Sequence, residues 1–190
     1  MALMALSQMK LTPVWVEKES VTEGFLTDVA SLAARELFDP PRTEIALRQQ
    51  HLFPIFSKQF QENGKKNTLL VVKNEAGEMV AFVAMLVGKL SGPFRDVSNE
   101  EVARIAYLTV EPSLRGRGIA SELVRCCEEW AAFRGFTSIY LNALSEKKHL
   151  QHWYSKLGYV KVADEYCSSA FPFLEDYCLT LRTKPLTNVL

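Results

Sequence analysis

The chain has 190 residues, with 22 Lys or Arg balanced by 22 Asp or Glu. This length fits one domain and is sufficient to bury a hydrophobic core, and a hydrophobic content of 48% excludes a disordered or fibrous chain. Zero net charge gives no general attraction to nucleic acid or to an anionic membrane.

The sequence gives no sign of export, membrane insertion or metal binding. It contains no apolar run of the roughly 18 residues that a membrane span needs, and its start, MALMALSQMK, lacks the early positive charge of a signal peptide. The four cysteines form no CxxC pair, so we expect no zinc site. We therefore expect one intracellular, cytoplasmic domain over residues 1–190, with 1–10 a candidate disordered N-terminus, no metal, and no nucleic-acid or membrane partner.

The N-terminal part predicts one strand followed by two helices. Leu11 to Glu17 has strand character, with Pro13 tolerated only at an edge or at its start. Thr22 is suited to cap a helix that runs to about Phe38. A second helical stretch, from Thr43 to about Asn63, contains Pro54, which is expected to kink or split it.

The rest of the chain alternates strands and helices. Thr68–Val72 and Met79–Leu86 flank the turn Asn74–Gly77 and predict a β-hairpin. This order predicts an α/β (α+β) fold with a mixed sheet and at least one parallel crossover. The remaining predicted elements are a strand at Val102–Val110, a helix at Arg117–Phe133, a strand at Ser138–Ala143, a helix at Lys147–Leu157, and strands at Tyr159–Ala163 and Asp176–Leu181.

The segment RGRGIA, residues 115–120, lies between a predicted strand and a predicted helix. The first turn of a helix leaves N–H groups without internal partners, and glycines let a ligand approach that backbone. This arrangement favours an anion site, most naturally for phosphate, although a simple tight turn gives the same pattern. A P-loop is excluded because Ile119 follows Gly118. A dinucleotide fingerprint is disfavoured because Ser121 stands where the third glycine belongs.

The same segment resembles motif A of the GCN5-related N-acetyltransferases, Arg/Gln-x-x-Gly-x-Gly/Ala, through Arg115, Gly118 and Ala120. A second motif of that family resembles the stretch KKHLQHWYSKLGYVKV, in which Tyr154 and Gly158 keep the Tyr-x-x-x-Gly-aromatic spacing. The Asn and Ala that the family commonly carries in this second motif are replaced by Lys and Leu. The resemblance is close over Val102–Val162.

The resemblance implies a mostly antiparallel sheet with helices on both faces and one parallel strand pair that is splayed at the site of acetyl-CoA. It implies transfer of an acetyl group to a primary amine of a small molecule, a protein N-terminus or a lysine. Asn142 is either a ligand of the cosubstrate or an ordinary polar residue at a strand end. The resemblance assigns the pantetheine arm to the backbone of Leu108, Thr109 and Val110, and the pyrophosphate to the segment Arg115, Gly116, Arg117, Gly118, Ile119, Ala120 and Ser121.

The resemblance also assigns an acid but leaves the base open. It implies that Tyr154 protonates the leaving thiolate, although an aromatic residue on a short helix is more often a packing residue. A phenol has an ordinary pKa of about 10 and a thiol one of about 8.5, so the phenol stays protonated. Many relatives carry a Glu in the strand before the glycine loop, and Val102–Val110 has none. The candidates left for the base are Glu100, Glu101, Tyr107, a water chain and the three histidines His51, His149 and His152.

The acceptor amine is not identified by these motifs. The loop Asp164–Glu175 is aromatic with acidic ends, which suits a cationic amine as well as ordinary loop packing. Two further readings stay open: a non-catalytic acyl-CoA-binding protein, favoured by the missing Glu, and a nucleotide-dependent oxidoreductase. Free sheet edges are compatible with a homodimer.

Overall fold

The computed structural model describes residues 11–36, 45–62, 66–90, 94–167 and 177–186. The strands lie in one seven-stranded sheet of order β1-β2-β3-β4-β5-β7-β6. The strands are β1 (Pro13–Trp15), β2 (Thr68–Lys73), β3 (Met79–Lys89), β4 (Glu101–Val110), β5 (Ser138–Leu144), β6 (Val160–Cys167) and β7 (Tyr177–Pro185), and the α-helices are α1 (Glu23–Glu36), α2 (Ile45–Ser57), α3 (Ile119–Phe133) and α4 (Lys148–Lys156).

The predicted mixed sheet and its parallel crossover are confirmed. β1 pairs with β2, β2 with β3, β5 with β7 and β6 with β7, each antiparallel. β4 and β5 run parallel, with a register from Ala103 opposite Ile139 to Ile105 opposite Leu141. That register covers the first half of both strands, since β4 continues to Val110 and β5 to Leu144.

The described residues fall into two compact units, and the prediction of a single domain over 1–190 stays a prediction. The first unit comprises the described parts of 1–85 and 107–125, and the second those of 86–106 and 126–190. In the first unit, α1 buries one side of its surface, including Leu26, Val29 and Leu32, as the 3.6-residue spacing of these positions requires. Strand β2 buries four successive residues, Leu69–Val72, which is typical of a strand covered on both faces.

The second unit has its own apolar cluster. Leu90, Phe94, Val102 and Leu181 are buried against one another. Strand β5 alternates, with Ile139, Leu141 and Ala143 buried and the intervening residues half-buried. This period of two places Tyr140 and Asn142 on the less buried side of the strand.

Several local predictions are confirmed and others need correction. The Thr22 hydroxyl accepts a hydrogen bond from the Phe25 N–H at 3.2 Å and caps α1. The hairpin turn closes by a bond from the Gly77 N–H to the Asn74 carbonyl at 2.9 Å. Helix α2 runs through Pro54 without splitting. Pro54 is exposed, so water can satisfy the carbonyl that its missing N–H leaves unpaired. The α2 helix then continues as a π-helical turn, Lys58–Glu62.

Candidate functional site

The segment between β4 and α3 in the first unit has backbone that only glycine adopts easily. A single 3₁₀ turn, Pro112–Leu114, follows β4. Gly116 and Gly118 then have φ of +74° and +84°, in the left-handed region. The predicted helix start at Arg117 is wrong, because a left-handed residue cannot lie within a right-handed helix. Helix α3 begins at Ile119, where the Glu122 N–H bonds the Gly118 carbonyl at 3.0 Å.

The backbone of this segment has open space at Gly116. A Cβ atom built on Gly116 would meet no heavy atom within 4 Å. The first-turn N–H groups of α3 follow immediately, and they carry the positive end of the helix dipole. Gly116, Gly118 and the start of α3 together form a backbone surface suited to an anion. The predicted residues from Arg115 to Ser121 therefore form one continuous structural feature.

The Arg115 side chain has a structural role in this segment. Its Nε donates to the Val110 carbonyl at 2.9 Å, and its guanidinium pairs with the Glu36 carboxylate at 3.0 Å. Arg115 thus ties the loop to the end of β4 and to the end of α1. Arg117 is exposed on the loop itself. Both arginines that the sequence singled out are thus exposed on this loop.

The end of β4 carries the other backbone groups that the sequence assigned. Thr109 and Val110 are buried and Leu108 is half-buried. Tyr107, immediately before them, has a φ of +55°, which is rare for an aromatic residue. The Val110 carbonyl accepts a hydrogen bond from Arg115 Nε at 2.9 Å, which joins the end of β4 to the glycine loop.

In the second unit, Asn142 lies one residue beyond the last pair of the β4–β5 register. Its carbonyl oxygen Oδ1 is buried and has no hydrogen-bond partner among the described residues. A buried polar atom without a partner costs free energy, so a ligand or water that donates to it restores part of that cost. Asn142 thus has the unmet hydrogen-bonding capacity that a ligand residue needs.

Tyr154 lies on α4 and is 7% exposed. Its ring contacts Trp153 and Tyr159, with ring centroids 4.7 and 5.9 Å away. Burial raises the pKa of Tyr154 from the ordinary value of 10 to about 12, because the phenolate loses its hydration. The hydroxyl makes no hydrogen bond with the described residues, and at neutral pH it is a protonated donor.

A buried arginine fixes the helix that carries Tyr154. Arg182 of β7 is 6% exposed, and its guanidinium donates to Gln151 Oε1 at 2.8 Å, Ser155 Oγ at 2.6 Å and the Tyr159 carbonyl at 2.8 Å. Gln151 in turn donates to the Leu144 carbonyl at 2.9 Å, at the end of β5. Gln151 and Ser155 are one helical turn apart, so Arg182 binds two successive turns on one face of α4, next to Tyr154 in sequence.

The identity of the base stays open. Glu100 and Glu101 are exposed, as are His149 and His152, and His51 is half-buried. Residues 168–176, with most of the aromatic loop, lie outside the described residues, as do 1–10. No group of three or more His, Cys, Asp and Glu in the described part could hold a metal. The expectation that no metal is used stays a prediction.

The sequence did not reveal Glu36, Arg182 or Gln59. Glu36 pairs with Arg115, 79 residues away along the chain. Arg182 bonds residues of α4 and Tyr159 that are 23–31 residues away. Gln59 donates to the Tyr107 hydroxyl, 48 residues away. No local pattern marks such partners, since each pair forms only when the chain has folded.

A model of the acetyltransferase (GNAT) family matches residues 31–159, more than half of the chain. A search of curated protein sequences found no match. Of the helices in the described ranges, none combines the length and apolar character that crossing a bilayer requires.

Several solved structures share the fold over nearly the whole chain. NAA60 of Arabidopsis thaliana, crystallised with a bisubstrate analogue, is 15% identical with a TM-score of 0.66 over 93% of this chain and 99% of its own. The ribosomal-protein-S18-alanine N-acetyltransferase of Escherichia coli is 14% identical with a TM-score of 0.63 over 93% and 94%. A mutant of the spermidine N-acetyltransferase SpeG of Vibrio cholerae is 15% identical with a TM-score of 0.61 over 93% and 94%. At these identities the likeness establishes the fold.

Proposed function

Because the chain belongs to the acetyltransferase (GNAT) family, whose members are acetyl-CoA-dependent transferases, we propose that it transfers the acetyl group of acetyl-CoA to a primary amine by direct attack in a ternary complex. The observation that carries the proposal is the left-handed glycine pair before α3, with open space at Gly116. This backbone would bind the pyrophosphate of the cosubstrate through N–H groups and the helix dipole.

The residues present fit acetyl-CoA in three ways. Gly116 leaves room for a phosphate against the main chain. The backbone of Leu108–Val110 would pair with the amides of the pantetheine arm. Asn142 Oδ1, buried without a partner, would accept a hydrogen bond from the bound cosubstrate or amine. Acetyl-CoA, when bound, supplies an activated thioester carbonyl.

The reaction forms a C–N bond and breaks the C–S bond of the thioester, with one proton lost from nitrogen and one gained by sulfur. The neutral amine nitrogen attacks the thioester carbonyl carbon, and the Val110 N–H would stabilise the negative charge on the carbonyl oxygen. The C–S bond then breaks, and the thiolate receives a hydrogen bond and finally a proton from the Tyr154 hydroxyl. The amine loses one proton, which goes to water, and Tyr154 is reprotonated from solvent.

Two of the similar structures are named for an acceptor that carries an amine. One acts on an alanine of a ribosomal protein and another on spermidine. We propose the same class for this chain, as a protein N-terminus, a lysine side chain or a small polyamine. A homodimer also stays a prediction.

Two matched glycine variants test the proposal. Gly77 and Gly116 both have positive φ, +82° and +74°, and a Cβ on either meets no atom within 4 Å. Gly77→Asp and Gly116→Asp therefore carry similar backbone strain and the same new charge. A ligand that binds only the folded state raises the free energy of unfolding by about 2.7 kcal/mol at a hundredfold excess over Kd. We expect acetyl-CoA to raise the melting temperature of the parent chain and of Gly77→Asp. The melting temperature of Gly116→Asp should not change when acetyl-CoA is added.

Acetyl transfer is then measured with spermidine, a peptide with a free N-terminus and an N-terminally blocked lysine peptide. Release of CoA with any of these amines supports the transferase. Stabilisation by acetyl-CoA without turnover would favour the non-catalytic acyl-CoA-binding protein. Equal responses of Gly77→Asp and Gly116→Asp to acetyl-CoA would contradict the assignment of the glycine loop.

A further inference from the structure

Tyr107 has an unusual backbone conformation in the middle of an otherwise extended strand. Its φ of +55° is the only positive value at a non-glycine residue in the described part of the chain. Aromatic residues adopt this region at a cost, and such strain persists only where the surrounding contacts impose it. The strain lies directly before Leu108–Val110, the segment whose backbone would bind the pantetheine arm.

Three contacts within the first unit hold Tyr107 in place. The Thr109 hydroxyl donates to the Tyr107 carbonyl at 2.9 Å. The Tyr107 ring packs edge-on against Phe56, which is fully buried, with ring centroids 5.0 Å apart. The Gln59 amide Nε2 donates to the Tyr107 hydroxyl at 3.2 Å. Together these contacts fix both the main chain and the side chain of Tyr107.

Gln59 lies in an irregular segment, and one of its polar atoms is buried without a partner among the described residues. It lies in the π-helical turn Lys58–Glu62, and such turns occur frequently at functional sites. The side-chain amide of Asn67 donates to the main-chain carbonyl of Gln59 at 2.9 Å. The side-chain oxygen Oε1 of Gln59 is buried with no hydrogen-bond partner in the described ranges. Within the described part of the chain, the Gln59 amide thus makes one hydrogen bond, to the Tyr107 hydroxyl, and leaves its acceptor unpaired.

We propose that Gln59 and Tyr107 form a brace that sets the direction of the Leu108–Val110 backbone for acyl-CoA binding. Both are positioning residues: Gln59 acts through the Tyr107 hydroxyl, and Tyr107 acts through the main chain that follows it. The inference rests on the proposed function, because it concerns the backbone groups that would pair with the cosubstrate.

The test is a double-mutant cycle read by acetyl-CoA binding. Gln59→Met keeps the length of the side chain and removes the amide, whereas Tyr107→Phe keeps the ring on Phe56 and removes the hydroxyl. We expect each variant to raise the Kd for acetyl-CoA, measured by calorimetry, about tenfold, which is about 1.4 kcal/mol. The double variant should lose no more than either single one, because the two residues act through one hydrogen bond.

Stability and a neighbouring glutamine serve as controls. Gln61 lies in the same turn, with its side chain bonded to Ser57, and Gln61→Met should leave the Kd unchanged. Gln59→Met should melt within a few degrees of the parent, since removal of the unpaired oxygen offsets loss of the hydrogen bond to the Tyr107 hydroxyl. Where an acceptor amine is turned over, the KM for acetyl-CoA should rise while the KM for the amine stays constant. A purely structural residue would instead lower the melting temperature and disturb both constants.

The outcomes separate this inference from the proposed function. If the parent chain binds acetyl-CoA and both single variants bind it equally well, the brace is wrong and the proposed function stands. Additive losses in the double variant, or losses that follow a fall in melting temperature, also overturn the brace. If the parent chain binds no acetyl-CoA, the proposed function fails and the brace fails with it.

Discussion

Replacing Tyr154 by Phe removes one oxygen that makes no hydrogen bond with the described residues, so the packing of α4 should survive. The ring keeps its contacts with Trp153 and Tyr159. The free energy of unfolding at neutral pH should therefore change by less than about 1 kcal/mol. Any large loss of activity then reports on chemistry and not on folding.

The size of the loss follows from the pKa of Tyr154, which is raised to about 12. Full transfer of its proton to a thiolate with an ordinary thiol pKa of about 8.5 is uphill by about 5 kcal/mol. Tyr154 would therefore assist mainly by hydrogen bonding to the developing thiolate, with its proton transferred late. General acids contribute about 10²–10⁴-fold, and this mismatch places the expected fall in kcat near the lower limit, about 10²-fold.

The assay is CoA release at saturating acetyl-CoA and amine, with thermal unfolding of the same samples. Tyr140→Phe is the matched control, because Tyr140 is a half-buried residue packed against the apolar cluster of the second unit. It should keep kcat within about twofold of the parent. A Tyr154→Phe variant that is folded, binds acetyl-CoA and retains most of its kcat would refute the role of this phenol.

Three further predictions concern stability and pH. Arg182→Met should lower the free energy of unfolding, measured with denaturant, by about 2–4 kcal/mol, since it leaves buried acceptors without a donor. Arg182→Lys should recover only part of this free energy, because an ammonium group cannot replace the planar guanidinium with its several donors. The raised pKa of Tyr154 should make the parent chain lose up to about 3 kcal/mol as pH rises from about 10, the unfolded value, through about 12, the folded value. The difference between parent and Tyr154→Phe should therefore change across that window, and a constant difference would contradict the raised pKa. If water accepts the amine proton, log kcat/KM should rise with pH at a slope of one until the pH reaches the pKa of the amine. The pH at which the profile levels off should therefore be about 8 for a peptide N-terminus and about 10.4 for a lysine side chain. The same pH for both amines would instead indicate a base on the enzyme.

The order of strands and helices was predictable because it rests on local patterns. The 3.6-residue period of α1, the turn residues around Gly77 and the strand-loop-helix order around Gly118 each depend on neighbours in sequence. Element ends were less predictable. The sequence predicted that α3 starts at Arg117, whereas the helix starts at Ile119. Glycine can adopt a φ of either sign, so the positive φ of Gly118 could not be read from the sequence.

The parts of the candidate site that the sequence did not predict depend on long-range contacts. Arg115 fits a phosphate motif, yet its guanidinium is bonded to Val110 and Glu36. Tyr107 of β4 contacts Phe56 of α2 and Gln59 of the following π-helical turn, which are 48 or more residues away along the chain. Sequence patterns identify residue types that suit a chemistry, whereas the folded contacts decide which side chains remain available for it.

The missing strand Glu and the raised pKa of Tyr154 have a common consequence for the proposed reaction. A strong base would hold the amine neutral, and a strong acid would protonate the leaving sulfur as the C–S bond breaks. This chain has no carboxylate between Val102 and Val110, and its candidate acid is weaker than an ordinary phenol. Rate enhancement would then have to come mainly from placing the thioester against the amine and from the N–H groups that face the developing charge. If Leu108–Val110 binds the pantetheine arm, the direction of its backbone then contributes to that placement, and this contribution would offset the cost of the positive φ at Tyr107.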